Sequence, residues 1–178
     1  METLNNNDAM AVQRAKINGN FTELYTHNTA FAYVSTPVAT LMSTADTWYL
    51  YKSTFVNSLE GVWEEGTYGI KIASDASELG YEIEFQTGGT IDKNSIVEIG
   101  IVKNGVYNAT SGIMESGTFL DGSNGGASAK TAGDYVNPRC FWQGHLAAND
   151  EVALVIKCAT SNATFTPLNG STSAHQAK

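Results

Sequence analysis

Few side chains in this 178-residue sequence are of the types that do chemistry, and their spacing limits what they can do. The three histidines are His27, His145 and His175. None is spaced with another His, Cys or carboxylate in a metal pattern such as H-x-x-x-H or C-x-x-C, so neither a metal nor a cofactor is expected. Glu64-Glu65 and Glu82/Glu84 are the carboxylate pairs, which a glycosidase would need at a set separation. In YEIEFQ, however, Glu82 and Glu84 alternate with Tyr81, Ile83 and Phe85. That is the pattern of a half-buried strand with solvated carboxylates on its outer face. The chain holds no G-x-S-x-G elbow. Its glycine-rich stretch, DGSNGGASAKTAGD at 121 to 134, lacks the Lys-Ser/Thr ending and following helix of a phosphate cradle. No catalytic residue is expected, and the chain reads as a non-enzyme.

The remaining reactive groups are two cysteines. Cys140 and Cys158 flank CFWQGHLAANDEVALVIKC, which reads as a hairpin turning near Asn149. Such a turn would place the two opposite each other, making a cross-strand disulfide conceivable if the Cβ spacing suits. The alternative is two reduced, buried thiols acting as small apolar side chains. His145 falls on the strand face opposite Cys140 and Trp142, a solvent or interface position. The Asn-x-Ser/Thr triplets at Asn20, Asn108, Asn162 and Asn169 matter only in a secretory pathway.

Composition narrows the partners. Hydrophobic residues make up 42% of the chain, enough for a core, while charged residues are only 16%, well below the ~25% usual for soluble domains. Ser, Thr, Asn and Gly stand in their place, as in extended β proteins of fibres and shells. A net charge of −8 argues against nucleic acid, whose phosphates need a basic face. No apolar run approaches the ~18 residues of a membrane span, so no membrane partner is expected. METLNNNDAM has no basic segment followed by an apolar one, so no signal peptide is expected.

The elements divide at about residue 34. Met10, Ile17 and Leu24 are seven apart, Phe21 falls between the last two, and Arg14, Asn28 and Phe31 continue the series. This is the a/d seam of a coiled coil about three heptads long, capped by Asn7 or Asp8 and ending near Asn28 to Ala32. A seam so short is marginal alone, so copies must be gathered by something else. In a trimer, His27 and Asn28 would form a polar layer at the helix end. Tyr33 to Thr44 reads as a connector. Strand signals follow in TWYLYKS, in GVWEEGTYGIKIA around a glycine turn, in YEIEFQ, and in SIVEIGIVKNGVYNAT with a hairpin at Asn104-Gly105. Residues 121 to 134 read as a surface loop carrying Asp121, Asn124, Lys130 and Asp134. Val152, Leu154 and Ile156 point inward, and Ala163 to Leu168 is a last strand. About eight short strands and no later helix predict an all-β, antiparallel sandwich.

INGNFTELY resembles the N-terminal segment of tailed-phage virion proteins, in which a short helix of the type INxNFTELY precedes a fibre or tip domain. ADTWYLYKSTFVNSLEGVWE, YEIEFQTGG, IVEIGIVKNGVY and LAANDEVALVIKC resemble, in order, the strands of the trimeric jelly roll of the tumour-necrosis-factor and complement-globular-head type. Asn149 departs from the Gly usual before the Asp, but both tolerate left-handed geometry. No long shaft separates helix from knob, which favours a compact decoration or short fibre.

The resemblance implies an attachment helix over 1–34 and a jelly-roll knob over 35–178. In such a trimer Met10, Ile17, Phe21, Leu24 and Asn28 line the helix seam. The resemblance further implies an aromatic-rich face on the threefold axis, with Trp48, Tyr49, Tyr51, Phe119 and Tyr135 as candidates. The expected function is a structural phage virion protein, a homotrimeric head fibre or capsid decoration assembled in a host bacterial cytoplasm. Its helix would meet capsid or tail proteins, and its knob a host-surface glycan or protein. A tail receptor-binding tip and a free carbohydrate-binding module are the alternatives.

Overall fold

The computed structural model describes residues 30–36, 38–52, 54–59, 63–75 and 79–168. The helix seam at Met10, Arg14, Ile17, Phe21, Leu24 and Asn28, with His27 and His175, lies outside them. The described chain forms fifteen strands: β1 (Ala30–Thr36), β2 (Thr40–Met42), β3 (Tyr49–Leu50), β4 (Thr54–Leu59), β5 (Trp63–Glu65), β6 (Ile70–Ile72), β7 (Leu79–Gln86) and β8 (Gly89–Ile91) in its first half. Then come β9 (Ser95–Tyr107), β10 (Met114–Phe119), β11 (Gly125–Ala129), β12 (Tyr135–Val136), β13 (Arg139–Leu146), β14 (Glu151–Cys158) and β15 (Ala163–Pro167).

Two antiparallel layers face each other. One has the order β12-β8-β15-β2, extended by the pair β13-β7. The joint is physical: Thr87 N–H donates to the Pro138 carbonyl at 3.1 Å, so β7–β8 and β12–β13 are each one long strand interrupted once. Pro138 supplies the second interruption because it has no N–H for the ladder. The other layer has the order β10-β9-β14-β6-β5, with β11 also on β9 and β3 also on β14. These two breaks account for part of the excess of fifteen strands over the eight or so expected; β1, β2 and β11, which lie where connector or loop was expected, account for more.

Alternation fills the space between the layers. Tyr81, Ile83 and Phe85 of β7 meet Val97, Ile99 and Ile101 of β9 and Val152, Leu154 and Ile156 of β14, all buried in one cluster with Phe165 and Met42. The alternation of YEIEFQ, with Tyr81, Ile83 and Phe85 inward against Glu82, Glu84 and Gln86, and the glycine-centred β5–β6 hairpin form as expected. A buried bond joins the layers, between the Tyr51 hydroxyl and Thr87 Oγ1 at 2.7 Å. Ala153 and Val155 are buried too, because Trp48, Leu50, Met114 and Phe119 cover the outer face of β14.

Four expectations are corrected. Residues 30–36, expected as helix end and connector, form β1, in which Phe31 pairs with Ser58. Thr40–Met42 is also strand. Asn104-Gly105 is no hairpin: β9 runs through it, and the chain reverses at Asn108 to Gly112. Asn104 does take the left-handed conformation, at φ 53°, but within a bulge opposite β10. Residues 121 to 134 contain β11, which pairs with β9 and buries Ala129; small side chains let this glycine-rich segment lie flat on the sheet. Lastly, Cys140 and Cys158 do not face each other in one hairpin. Cys140 is paired opposite Phe85 and Cys158 opposite Val97, in different layers, because the turn at Asn149 crosses between layers. Both are free, buried thiols. Asn149 itself has φ 67°, the geometry expected of it.

Candidate interaction face

The outer surface of the β2–β15–β8–β12 layer and its β7–β13 extension carries an exposed apolar series. Alternation turns Leu41 outward from β2, between buried Thr40 and Met42. Tyr135 turns outward from β12, where Val136 faces in. Phe141 does so from β13, between Cys140 and Trp142. Leu168 continues the outward series of Thr164 and Thr166 past the end of β15. These four are 56%, 56%, 43% and 50% exposed, high values for large apolar side chains. Register links them: Leu41 lies beside residue 164, Thr90 lies between Thr166 and Tyr135, and Phe141 lies beside Glu84. The Tyr135 ring is laid over Gly88, where a Cβ would come within 2.0 Å of the tyrosine oxygen. Only a glycine there lets the tyrosine lie against the sheet.

Polar residues share the face, among them Thr90, Thr164, Thr166, Glu82 and Glu84. Arg139 donates to Glu84 at 2.8 Å, tying β13 to β7. Gln143 stands beside Glu82, and His145 is exposed further along β13. Behind the face, burial pushes the Cys140 thiol up to about 12, so it is held neutral.

The five aromatic candidates separate. Tyr49 and Tyr51 are buried in the protomer's own core. The Tyr49 hydroxyl accepts from the Thr44 N–H at 2.9 Å and bonds Ser43 Oγ at 3.0 Å. Trp48 and Phe119 sit on the opposite layer, rings 5.0 Å apart and tilted, with the Lys157 ammonium 4.9 Å above Trp48. Tyr135 alone lies on the face described above. Leu41, Phe141 and Leu168 were missed, although the C-F-W alternation at 140 to 142 already turns Phe141 away from its neighbours.

The carboxylate pairs are accounted for separately. Glu64 pairs with Lys71 at 3.2 Å across β5–β6, and Glu84 with Arg139. Among the described residues no group of three His, Cys, Asp or Glu could hold a metal ion. No helix among them is long and apolar enough to cross a membrane. Of the loop candidates, Asp121, Asn124 and Lys130 are exposed and Asp134 is partly so. Asp134 accepts from the Lys130 and Thr131 N–H groups, both at 2.9 Å, and from Thr131 Oγ1 at 2.7 Å. These bonds hold its carboxyl below the usual range.

No protein-family model and no curated protein matches this chain. Among solved structures, the chain is similar to an Eiger TNF from S. frugiperda, with a TM-score of 0.54 and 8% identity over 84% of this chain and 92% of that one. A murine APRIL structure at pH 5.0 gives a TM-score of 0.49 and 12% identity, over 79% of this chain and 98% of that one. At 8% identity the first likeness speaks to architecture alone: the described residues form an all-β, antiparallel jelly roll of TNF-like fold.

Proposed function

We propose that this chain is a non-enzymatic structural protein of a phage virion. It acts as a homotrimeric head fibre or capsid decoration whose knob faces outward and contacts a host-surface glycan or protein. The observation that carries the assembly is the exposed series Leu41, Tyr135, Phe141 and Leu168 on one sheet face. Burying the exposed half of four such side chains contributes roughly 3–6 kcal/mol per protomer. Spread over three subunits, that supports a closed ring. The TNF-like fold supports the same reading, since the jelly rolls this sequence resembles assemble through one sheet face. The axis face therefore shifts from the five aromatics expected above to one that keeps only Tyr135 of them. Trp48 and Phe119 are then on the outward side.

The phage attribution rests on the resemblance of INGNFTELY to virion attachment helices, and on it alone. In this reading the segment around Met10, Ile17, Phe21, Leu24 and Asn28 anchors the trimer to capsid or tail proteins. Displayed threefold, weak knob contacts gain avidity.

A charged substitution on this face tests the assembly. Phe141→Asp should leave the fold intact, because the side chain is already exposed, and should convert trimer to monomer in sedimentation. An unchanged mass would move the interface elsewhere. Phe21→Asp tests the anchor separately. It should abolish incorporation into particles while leaving the knob's mass unaltered, and retained incorporation would defeat the virion reading of the helix.

A further inference from the structure

A groove of about 450 Å³ opens at the end of the other layer. Its floor is Ile96, 49% exposed, lying in a row between Ser128 of β11 and Ala159, whose N–H donates to the Ile96 carbonyl at 3.1 Å. Asn94, Lys130 and Thr160 form its rim. Thr160 Oγ1 donates to Ser95 Oγ at 2.9 Å, which fixes that wall.

The other rim groups are uncommitted. Among the described residues, neither the Asn94 amide nor the Ser128 hydroxyl has a hydrogen-bond partner, and the Lys130 ammonium has no ion-pair partner. Asp134 is near enough that Lys130 helps to hold its carboxyl down, but the two make no ion pair. Asp134 already accepts three hydrogen bonds from the backbone and hydroxyl of its own turn. Glu98, one outward position beyond Ile96, is paired with Lys157 at 2.6 Å. A branched aliphatic floor ringed by hydroxyl, amide and ammonium donors suits a pyranose ring, whose C–H face makes apolar contact and whose rim hydrogen-bonds. The volume is within the range of small-molecule sites. The ammonium, in no ion pair, adds charge selection, since a carboxylate gains most from a charge-assisted bond.

We infer that this groove binds a terminal sugar residue bearing a carboxylate, with Ile96 as the apolar floor and Lys130 as the anion partner. The choice of saccharide rests on the adhesive reading above; the groove's geometry does not. On a protein of net charge −8, such a local cation makes acidic glycan recognition a matter of one side chain.

The test is an amide-resonance titration of the full chain with methyl β-glucuronide, with methyl β-glucoside as the neutral control. The glucuronide should shift the resonances of Ile96, Ser128 and Ala159, and Lys130→Gln should weaken that binding about tenfold. Ile96→Thr, which keeps a β-branched residue in the strand, should weaken it about tenfold while the amide spectrum stays that of the folded chain. Absence of shifts at these residues overturns the proposal, as do equal shifts from both sugars. A glycan panel probed with the full chain separates the two ideas. Panel binding that survives both substitutions rejects the groove and leaves adhesion standing. A wild-type chain that binds no glycan rejects glycan adhesion, while the titration still decides the groove.

Discussion

Asp150 gives the sharpest quantitative test of how this knob is held together. It lies at the crossing from β13 to β14 and is 9% exposed. Its carboxylate accepts from the Ala147 N–H at 3.0 Å, the Asn104 amide at 2.8 Å and the Lys103 ammonium at 3.2 Å. The same Asn104 uses its oxygen to receive the Glu151 N–H at 2.9 Å, so the left-handed bulge of β9 and the interlayer turn are clamped to each other. Asp150→Ala leaves the Ala147 N–H and the Asn104 amide without their acceptor. At about 1 kcal/mol for each neutral donor, and a little more for the partly solvated ammonium, the loss is about 3 kcal/mol near neutral pH.

The pH dependence follows from the same contacts. Burial alone would raise the Asp150 carboxyl, but the Ala147 N–H, the Asn104 amide and Lys103 outweigh it and hold it below its ordinary value of 3.8. A carboxyl depressed in the folded state contributes stability above the unfolded value, and loses it as pH falls through the folded one. The gap between wild type and Asp150→Asn, which keeps the shape and removes the charge, should therefore be full near pH 7 and shrink only once pH falls below the ordinary 3.8, closing as it passes the lower folded value. Urea unfolding at fixed protein concentration reads both, because assembly makes the midpoint concentration-dependent. A loss under about 1 kcal/mol for Asp150→Ala, or a gap for Asp150→Asn that persists in acid, would refute the clamp.

Three further outcomes are expected. Gly125→Ala should cost about 3 kcal/mol or more, because the new Cβ would stand 1.6 Å from the Arg139 carbonyl oxygen, which is main chain and cannot yield. Gly126→Ala, whose nearest neighbour is the flexible Glu98 Cγ at 3.3 Å, should cost under about 1 kcal/mol, and equal costs for the two would be wrong for this packing. Tyr49→Phe removes two bonds to the Ser43–Thr44 turn and should lower stability by about 1–2 kcal/mol in thermal unfolding. Cys140 and Cys158 should resist Ellman's reagent at about pH 8 in the native state and react fully in concentrated guanidinium. Rapid native labelling of Cys140 would contradict the burial that pushes its thiol up to about 12.

The jelly roll was legible where alternation was clean. YEIEFQ, the β5–β6 hairpin, the inward Val152, Leu154 and Ile156, and the last strand all appear at their expected places. What failed was local turn chemistry overridden by the sheet. Asn104-Gly105 carries a strong hairpin signal, but its left-handed residue serves a bulge, and the 13-residue β9 continues because both of its edges find partners. The Cys140–Cys158 hairpin failed for a related reason: a short turn reads the same whether it closes a ladder or crosses between layers. Glycine-rich 125–129 looked too polar to pack, yet a strand needs only backbone bonds and one buried alanine to join a sheet edge.

The interaction face was only partly legible because exposure is a property of the pair of layers. Tyr49, Tyr51 and Tyr135 are indistinguishable as residue types, and the topology decides that two are core and one is surface. Phe141 and Leu41 were readable in principle, since each sits between two inward neighbours.

The solution mass of the intact chain by sedimentation equilibrium, followed over serial dilution, tests the central claim most directly. The account predicts three times 19.0 kDa, about 57 kDa, held to low concentration. A mass of 19.0 kDa throughout would contradict it, leaving the exposed face of Leu41, Tyr135, Phe141 and Leu168 without a partner copy and making a free glycan-binding module the better description.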